Sequence, residues 1–375
     1  MRIVQFVNNL DLGGLERLVV DLARCQLAEG HQPIIYCLAH PGRLAAEAAG
    51  MGIGVRSFEK SAGPQLGTVW QIVKELRRDR PDVLHTHNHL VHHYGVVAGH
   101  LAGVPVIVNT RHRAEYRIVN EPGGSQVTIE SPDKKSDWIF RATLPWVNSV
   151  VLISEATRKF FIEHRGVSEA KTCVILNGAH LERFLNTPAH PGSALPRIRF
   201  GIAARMVPEK DHFTLLRAFR IVVAELPGAE LHIAGDGPLR DRIVERTKEL
   251  NLSDRVTFLG ALPHTAQFLS QLDVFVLSSL NEGLPLALLE AMAAGLPVVA
   301  TRAGGVEEAA QDGRNAYLVA PGDHDELAHA MIRMANATDL EQMGVLSREI
   351  VQERFSIEGT WQQYHKLFLS LGACT

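Results

Sequence analysis

The sequence predicts an α/β protein built from two doubly wound domains, each with a parallel sheet between layers of helices. Three observations support this prediction. Short β-branched runs alternate with longer helical runs, which is the pattern of parallel sheets. The alternation stops at a proline-rich segment, NTPAHPGSALPR (186–197), and then starts again. The chain of 375 residues also exceeds the length that one hydrophobic core usually serves.

The first half of the chain alternates strands and helices from its first residues. RIVQFVNN (2–9) has the apolar composition of a buried strand, and LERLVVDLARCQLAEG (15–30) has the apolar spacing of a helix that ends at Gly30. Further strands are predicted from the runs QPIIYCLA, DVLHTHN, VPVIVNT, SVVLIS and KTCVILN. We therefore expect residues 1–188 to form the first domain.

The second half repeats the same pattern after the proline-rich linker. Its predicted strands are IRFGIAA, AELHIAG, RVTFLG, DVFVLS and LPVVAT, with helices such as DHFTLLRAFRIVVAEL between them. We expect residues 189–354 to form the second domain. The tail, residues 355–375, reads as an amphipathic helix rich in aromatic residues, and we expect it to cross back to the first domain.

Composition excludes several functional classes. A net charge of −3 gives no footprint for a polyanion, so we expect no nucleic-acid partner. No pair of cysteines has Cys-x-x-Cys spacing, which favours a reducing compartment. The sequence begins with a strand-like segment, so we expect no signal peptide, and its longest apolar run (95–108) is too short to cross a bilayer. We expect a cytoplasmic protein, either free or against the inner face of the membrane.

Three turns between strands and helices carry residues suited to an anionic ligand. Gly13 and Gly14 follow the first strand, where helix-start amides favour an anion, although a tight turn alone would also explain them. The turn AGDGP repeats this layout in the second half. Arg205 and Lys210 follow a strand of the second half and suit a diphosphate, with a solvated charge cluster as the alternative.

The segment NEGLPLALLEAMAAGLPVVA (281–300) places two acids, Glu282 and Glu290, in an otherwise apolar stretch. Pro285 fits the start of a helix and Gly295 its end, so one acid precedes this helix and the other lies within it. Buried carboxylates are costly without partners, and the hydroxyl groups of a polyol would supply them. The alternative is a helix-capping acid beside an unrelated paired acid.

Histidines concentrate in DVLHTHNHLVHHYG (82–95), where His85, His87 and His89 alternate and would share one strand face. A zinc site is conceivable, but no cysteine is nearby, and contact with sugar or phosphate by one or two histidines is preferred. We expect no metal. His112 follows a later strand, flanked by Arg111 and Arg113.

Taken together, these motifs resemble the retaining GT-B glycosyltransferases of family 4. The resemblance covers nearly the whole chain, and its most specific part is the Glu-x7-Glu segment EGLPLALLE with the AMAAGLPVVATRAGGVEEAAQDGRNAYLV that follows. Supporting matches are GGLER, HTHN, ISEATRKF, VILNGAHLERF, ARMVPEKD and AGDGPLRDRI. The resemblance implies two Rossmann-like doubly wound domains facing a central cleft.

The resemblance also implies a role for each candidate residue. A nucleotide-sugar donor, with UDP-sugars favoured over GDP-sugars, would be bound mainly by the second domain. The resemblance implies that Arg205, Lys210, Gly13 and Gly14 contact the diphosphate. It implies that Glu282 contacts the donor sugar and Glu290 the ribose. The backbone of Gly283, Leu284 and Pro285 would contact sugar and phosphate. His112 would face the sugar, and His87, Arg111 and Arg113 are candidates on the acceptor side.

The implied reaction is transfer with retention at the anomeric carbon, without cofactor or metal, to a glycan, lipid-linked or small-molecule acceptor of bacterial surface polysaccharide or glycolipid synthesis. Two alternatives remain: a nucleotide-sugar-binding protein without turnover and a sugar-nucleotide epimerase. Basic and aromatic residues in RHRAEYR (111–117) and PDKKSDWIFRATLPW (132–146) indicate a peripheral membrane contact, with a solvated loop and helix as the alternative.

Overall fold

The computed structural model describes residues 1–60, 65–114, 117–121, 124–128, 134–185 and 197–374. The chain divides into two compact units. Unit 1 comprises Met1–Ala114, Ser131–Gly178 and Ile357–Thr375, and unit 2 comprises Glu115–Glu130 and Ala179–Ser356. The predicted boundary at residue 188 falls in a segment, 186–196, that lies outside the described residues.

The elements up to residue 174 alternate strand and helix, as the apolar periodicity predicts, except for one hairpin of two consecutive strands that was not predicted. In chain order they are β1 (Arg2–Val7), α1 (Gly14–Ala28), β2 (Gln32–Cys37), α2 (Ala45–Gly50), β3 (Gly54–Ser57), α3 (Leu66–Asp79), β4 (Val83–His87), α4 (His89–Ala102), β5 (Val106–Arg111), the hairpin β6 (Arg117–Glu121) and β7 (Gly124–Thr128), α5 (Lys134–Thr143), β8 (Ser149–Leu152), α6 (Glu155–Arg165) and β9 (Thr172–Val174).

The remaining elements repeat the pattern. They are α7 (Glu182–Leu185), β10 (Ile198–Ala203), α8 (His212–Glu225), β11 (Ala229–Ala234), α9 (Arg240–Glu249), β12 (Val256–Gly260), α10 (Ala266–Leu269), β13 (Val274–Leu277), α11 (Leu286–Ala293), β14 (Val298–Thr301), β15 (Ala316–Val319), α12 (His324–Ala335), α13 (Leu340–Arg354) and α14 (Ile357–Ser370).

Unit 1 contains a seven-stranded sheet in the order β3-β2-β1-β4-β5-β8-β9, and all of its strand pairs are parallel. Strands β4, β5 and β8 are buried along their whole length, as expected when helices cover both faces of a sheet. The strand order reverses between β1 and β4. In such sheets, ligands bind beyond the carboxyl ends of the strands at this reversal.

Unit 2 contains a six-stranded parallel sheet in the order β12-β11-β10-β13-β14-β15. Its strand order reverses between β10 and β13. The loops that follow these two strands are residues 204–211 and 278–285, which contain most of the candidate donor residues. The topology therefore places them where a doubly wound sheet binds its ligand.

The last helix, α14, belongs to unit 1. Its residues Trp361, Tyr364 and Phe368 are at most 2% exposed, and the Tyr364 hydroxyl lies 3.0 Å from Oγ1 of Thr110 on β5. The chain thus leaves unit 1, forms unit 2 and returns to complete the core of unit 1. Among the helices that the structure describes, none combines the length and apolarity that a membrane span requires.

Candidate functional site

The loops after β10 and β13 are joined by hydrogen bonds that fix both backbones. The Leu280 amide donates to the carbonyl of Glu209 over 2.8 Å, and the Ser278 hydroxyl donates to the carbonyl of Lys210 over 2.9 Å. Asp211 caps α8 by accepting from the Thr214 amide. The side chains on these loops are therefore carried by a rigid backbone.

Glu282, only 7% exposed, receives two donors on one carboxylate oxygen. Lys210 Nζ forms an ion pair with Oε1, and the Ser279 hydroxyl donates to the same atom over 2.6 Å. These contacts explain how a carboxylate is tolerated in an apolar segment. Within the described part of the chain, Oε2 has no hydrogen-bond partner and remains available to a ligand.

Arg205 lies on the same loop as Lys210, with a different environment. Its side chain is exposed and forms no hydrogen bond or ion pair with any residue that the structure describes. The loop rests on the turn that contains Gly235, where φ is +147° and an added Cβ would lie 1.9 Å from the carbonyl oxygen of Ala204. A side chain at Gly235 would thus displace the backbone that carries Arg205.

A second close approach supports the backbone at Glu282. Gly304 has φ of +58°, and a Cβ there would lie 1.9 Å from the Glu282 carbonyl oxygen, while the Gly305 amide donates to the carbonyl of Gly283 over 2.7 Å. Sequence reasoning did not single out this glycine pair. The signal was the Gly-Gly dipeptide shortly after the apolar run that forms β14.

Glu290 has a partner of its own, distinct from those of Glu282. It lies on α11, which begins directly after Pro285, and its Oε2 accepts from the Thr265 hydroxyl over 2.7 Å. Leu284 and Pro285, which lie between the two acids in the sequence, are both buried. The two glutamates therefore have different polar surroundings: Glu282 contacts Lys210 and the Ser279 hydroxyl, and Glu290 contacts the Thr265 hydroxyl.

In unit 1, Gly13 and Gly14 are exposed at the start of α1, with Gly13 at the N-cap. The first amides of a helix have no intrahelical acceptor and carry the positive end of the helix dipole. The Glu16 carboxylate lies beside this backbone, since a Cβ added at Gly13 would be 2.3 Å from its Oε2, so an anionic ligand would have to displace Glu16 to reach these amides. This loop follows β1, one of the two strands at the reversal of the sheet.

His112 belongs to a chain of three polar side chains. Its Nε2 lies 2.9 Å from Nδ1 of His87, and Nε2 of His87 lies 2.8 Å from Oε1 of the buried Gln5 on β1. An amide oxygen accepts only, so this arrangement makes His87 Nε2 the donor to Gln5, and His112 Nε2 the donor to His87.

Desolvation controls the charge of these histidines. It lowers the pKa of His112 to about 3, and it lowers the pKa of His87 well below its ordinary value, with repulsion from His85 and His112 adding to the effect. Both imidazoles are therefore neutral near pH 7. Gln5 was missed by sequence reasoning, although a glutamine within the apolar run RIVQFV was a visible signal.

Other predicted residues of unit 1 differ in accessibility. Arg111 is 2% exposed, with its guanidinium 4.4 Å from the centre of the Phe140 ring, whereas Arg113 is exposed.

His85 and His87 share a strand face, with ring centres 4.1 Å apart. The predicted extension of this face to His89 is wrong, because Asn88 has φ of +64° and turns the chain into α4.

Comparison with known proteins identifies two family models that match consecutive parts of the chain. Residues 12–183 match Glycosyltransferase Family 4, and residues 197–337 match Glycosyl transferases group 1. Together the two models span most of units 1 and 2. The match includes the loops that carry Gly13, His112, Arg205 and Glu282.

Curated relatives with similar sequences are glycosyltransferases and related enzymes. The chain is 26% identical over 317 residues to the UDP-Gal:alpha-D-GlcNAc-diphosphoundecaprenol alpha-1,3-galactosyltransferase of Escherichia coli, which covers 80% of this chain and 78% of that protein. It is 37% identical over 155 residues to the N-acetyl-alpha-D-glucosaminyl L-malate synthase of Bacillus anthracis, with 41% and 40% covered.

A solved structure with a similar fold is HepE from Anabaena in complex with UDP and glucose. Its TM-score is 0.82 at 22% identity, with 99% of this chain and 100% of HepE covered. This likeness confirms the predicted fold class of two Rossmann-like domains, the GT-B architecture. On the two family models, which match residues 12–183 and 197–337, the chain belongs to the family 4 (group 1) glycosyltransferases.

Proposed function

We propose that this glycosyltransferase moves a sugar from a UDP-sugar to a glycan or lipid-linked acceptor, with retention at the anomeric carbon and without a metal ion. The observation that carries the proposal is the arrangement of Arg205, Lys210 and Glu282 on adjoining loops at the strand reversal of unit 2. These loops carry an exposed cation, Arg205, and a second cation, Lys210, that is paired with the carboxylate of Glu282. A sugar diphosphate presents the complementary groups, namely an anion and hydroxyl groups.

Each donor group has a proposed contact. Arg205 and Lys210 neutralise the diphosphate, and Gly283, Leu284 and Pro285 support it through their backbone. Glu282 accepts hydrogen bonds from sugar hydroxyls through Oε2, because Oε1 already receives Lys210 and Ser279. Glu290 accepts from the ribose. Gly13 and Gly14 are assigned to phosphate through their amides.

The charge state of His112 limits its role. An imidazole with a pKa of about 3 is neutral near pH 7 and does not serve as a general acid there. We assign His112 to hydrogen bonding and positioning of the sugar. The leaving phosphate then takes the proton of the acceptor hydroxyl on the same face of the sugar. The protein contributes orientation and stabilisation of the negative charge on the diphosphate.

Binding and transfer measured in buffer with EDTA test this proposal. UDP and a UDP-sugar are expected to raise the melting temperature where GDP does not, with a stabilisation of about 2.7 kcal/mol at a hundred times the dissociation constant. Transfer from the stabilising donor should continue in EDTA, because Arg205 and Lys210 supply the positive charge. Complete loss of transfer in EDTA, restored by Mg²⁺ or Mn²⁺, would contradict metal independence. Donor binding without transfer to any acceptor would contradict turnover.

We also propose a peripheral contact with the membrane, supported by the lipid-linked acceptor named for the Escherichia coli relative. Of the two segments that suggested it, residues 115–116 and 132–133 lie outside the described residues. Of the rest, Trp138 on α5 is 70% exposed, whereas Trp146 is stacked on His100 with ring centres 4.4 Å apart.

Flotation with vesicles that contain anionic lipid tests this contact. The protein is expected to float at low salt, and Trp138→Ala is expected to reduce the floating fraction, because an exposed indole favours the membrane interface. Trp146→Ala is the matched control, since Trp146 is less exposed and already stacked on His100. A wild-type protein that stays at the bottom of the gradient would remove the proposal.

A further inference from the structure

Three side chains from both ends of the chain meet beside the start of β2. Glu29 and His31 lie in the turn between α1 and β2, and His365 lies on α14. One potential ligand atom from each lies within 4.8 Å of the other two. His365 Nδ1 is 3.8 Å from Oε2 of Glu29, and the rings of His31 and His365 have centres 5.0 Å apart.

Neighbouring side chains hold this cluster in place. The His365 ring stacks on Trp361 at an interplanar angle of 4°, and the His31 ring meets the same indole edge-on at 5.5 Å between centres. Trp361 is fully buried, so it provides a rigid support. Gln362 donates to Oε1 of Glu29 over 2.6 Å, which orients the carboxylate. Such outer contacts are what orients metal ligands in proteins.

Two nitrogens of the cluster lack partners. Nε2 of His31 and Nε2 of His365 are both buried, and neither has a hydrogen-bond partner among the residues that the structure describes. Leaving a buried polar atom without a partner is unfavourable. The other ring nitrogen of His31, Nδ1, lies 3.2 Å from the amino group of Met1, so Nε2 is the atom of His31 that a metal ion would use.

We propose that Glu29, His31 and His365 bind one divalent transition-metal ion, with Zn²⁺ as the best match. Two imidazoles and one carboxylate are ligands that Zn²⁺ prefers, and a water molecule would complete the tetrahedron. Bond lengths of about 2.1 Å place the ligand atoms of such a site about 3.4 Å apart. The ligand atoms now lie within 4.8 Å of one another, so side-chain movements of about 1 Å would close the cluster to this size.

The sheet topology separates this site from the residues of unit 1 that are candidates for donor or acceptor binding. His31 precedes the amino end of β2, whereas Gly13, His87 and His112 lie at or beyond the carboxyl ends of β1, β4 and β5. Because these strands are parallel, the two groups lie at opposite edges of the sheet. A metal here would tie α14 to the α1–β2 turn and stabilise unit 1 without entering the reaction.

Titration of the full chain with Zn²⁺, after removal of any affinity tag and of bound metal, tests the inference. The wild type is expected to bind one equivalent and to melt at a higher temperature. Glu29→Gln removes the charged ligand, and His365→Phe keeps a ring on Trp361 while removing both nitrogens. Each should weaken Zn²⁺ binding by about tenfold or more.

His324→Ala is the matched control, because His324 also lies beside a carboxylate, Asp325 at 3.7 Å, on α12 of unit 2. It should bind Zn²⁺ as the wild type does. Melting of each variant in EDTA establishes that it is folded. A wild type that takes up no Zn²⁺, or folded Glu29→Gln and His365→Phe variants that bind it as tightly as the wild type, would overturn the proposal.

Discussion

Lys210→Ala is expected to reduce the turnover number by roughly 10²- to 10³-fold, the effect of removing one group that stabilises charge in a transition state. It is also expected to reduce the free energy of unfolding by about 2–3 kcal/mol. The physical reason is that Glu282, 8% exposed in its side chain, would lose its cation and remain as an uncompensated carboxylate. The 23% exposure of Lys210 places the stability loss below that of a fully buried pair.

Arg205→Ala is the matched control for this prediction, because Arg205 lies on the same loop and is assigned to the same diphosphate. Its side chain is exposed and has no partner in the described part of the chain, so its removal leaves no buried charge. We expect a comparable loss of turnover with an unchanged melting temperature. Surface substitutions of this kind usually change stability by less than about 0.5 kcal/mol.

Donor turnover and thermal melting of the two variants check the prediction together. Lys210→Arg adds a further comparison, since it retains the charge while changing the shape of the donor group. Full turnover in both alanine variants would contradict the assignment of Arg205 and Lys210 to the diphosphate. An equal fall in melting temperature for both would contradict the distinction between a paired and an unpaired cation.

Much of the fold could be predicted from local sequence patterns. A strand buried along its whole length, such as β8 (SVVL), contains a short apolar run, and the proline-rich segment marks the interruption between the first series of strands and β10. Glycines at strand ends also predicted turns, because the residue type alone indicates where the chain can turn. Asn88 was not recognised as a turn residue, because asparagine adopts positive φ only sometimes, and the strand was therefore predicted to run through His89.

The polar network of unit 1 could not be predicted, because it depends on strand pairing. Gln5 and His85 are paired across β1 and β4, and His87 is paired with Thr110 across β4 and β5. Neither register follows from local composition. The same holds for Glu29, His31 and His365, which come together only because α14 returns to unit 1. Candidate residues of unit 2 were easier to find, since Glu282 and Glu290 are close in sequence and stand out in an apolar segment.

The two glutamates are expected to respond differently to removal of their charge. Glu290→Gln should weaken binding of UDP by about 1.5–3 kcal/mol, which is a roughly 10- to 150-fold rise in the dissociation constant. The reason is the proposed hydrogen bonding of ribose hydroxyls to a charged acceptor. Glu282→Gln should leave UDP affinity nearly unchanged, because UDP carries no donor sugar, while turnover falls by one to two orders of magnitude, about the effect of weakening one charged hydrogen bond.

Calorimetric titration of both variants with UDP and with the UDP-sugar measures this difference. Glutamine keeps an oxygen that accepts from Ser279 in one variant and from Thr265 in the other, so both substitutions preserve a local hydrogen bond. Glu282→Gln also removes the ion pair with Lys210, which Glu290→Gln leaves in place. Melting curves of both variants measure the resulting loss of stability separately from the change in ligand affinity. Equal losses of UDP affinity in two folded variants would contradict the division of roles. Such a result would mean that both acids contact the nucleotide, since UDP lacks the donor sugar whose hydroxyls Glu282 is proposed to bind.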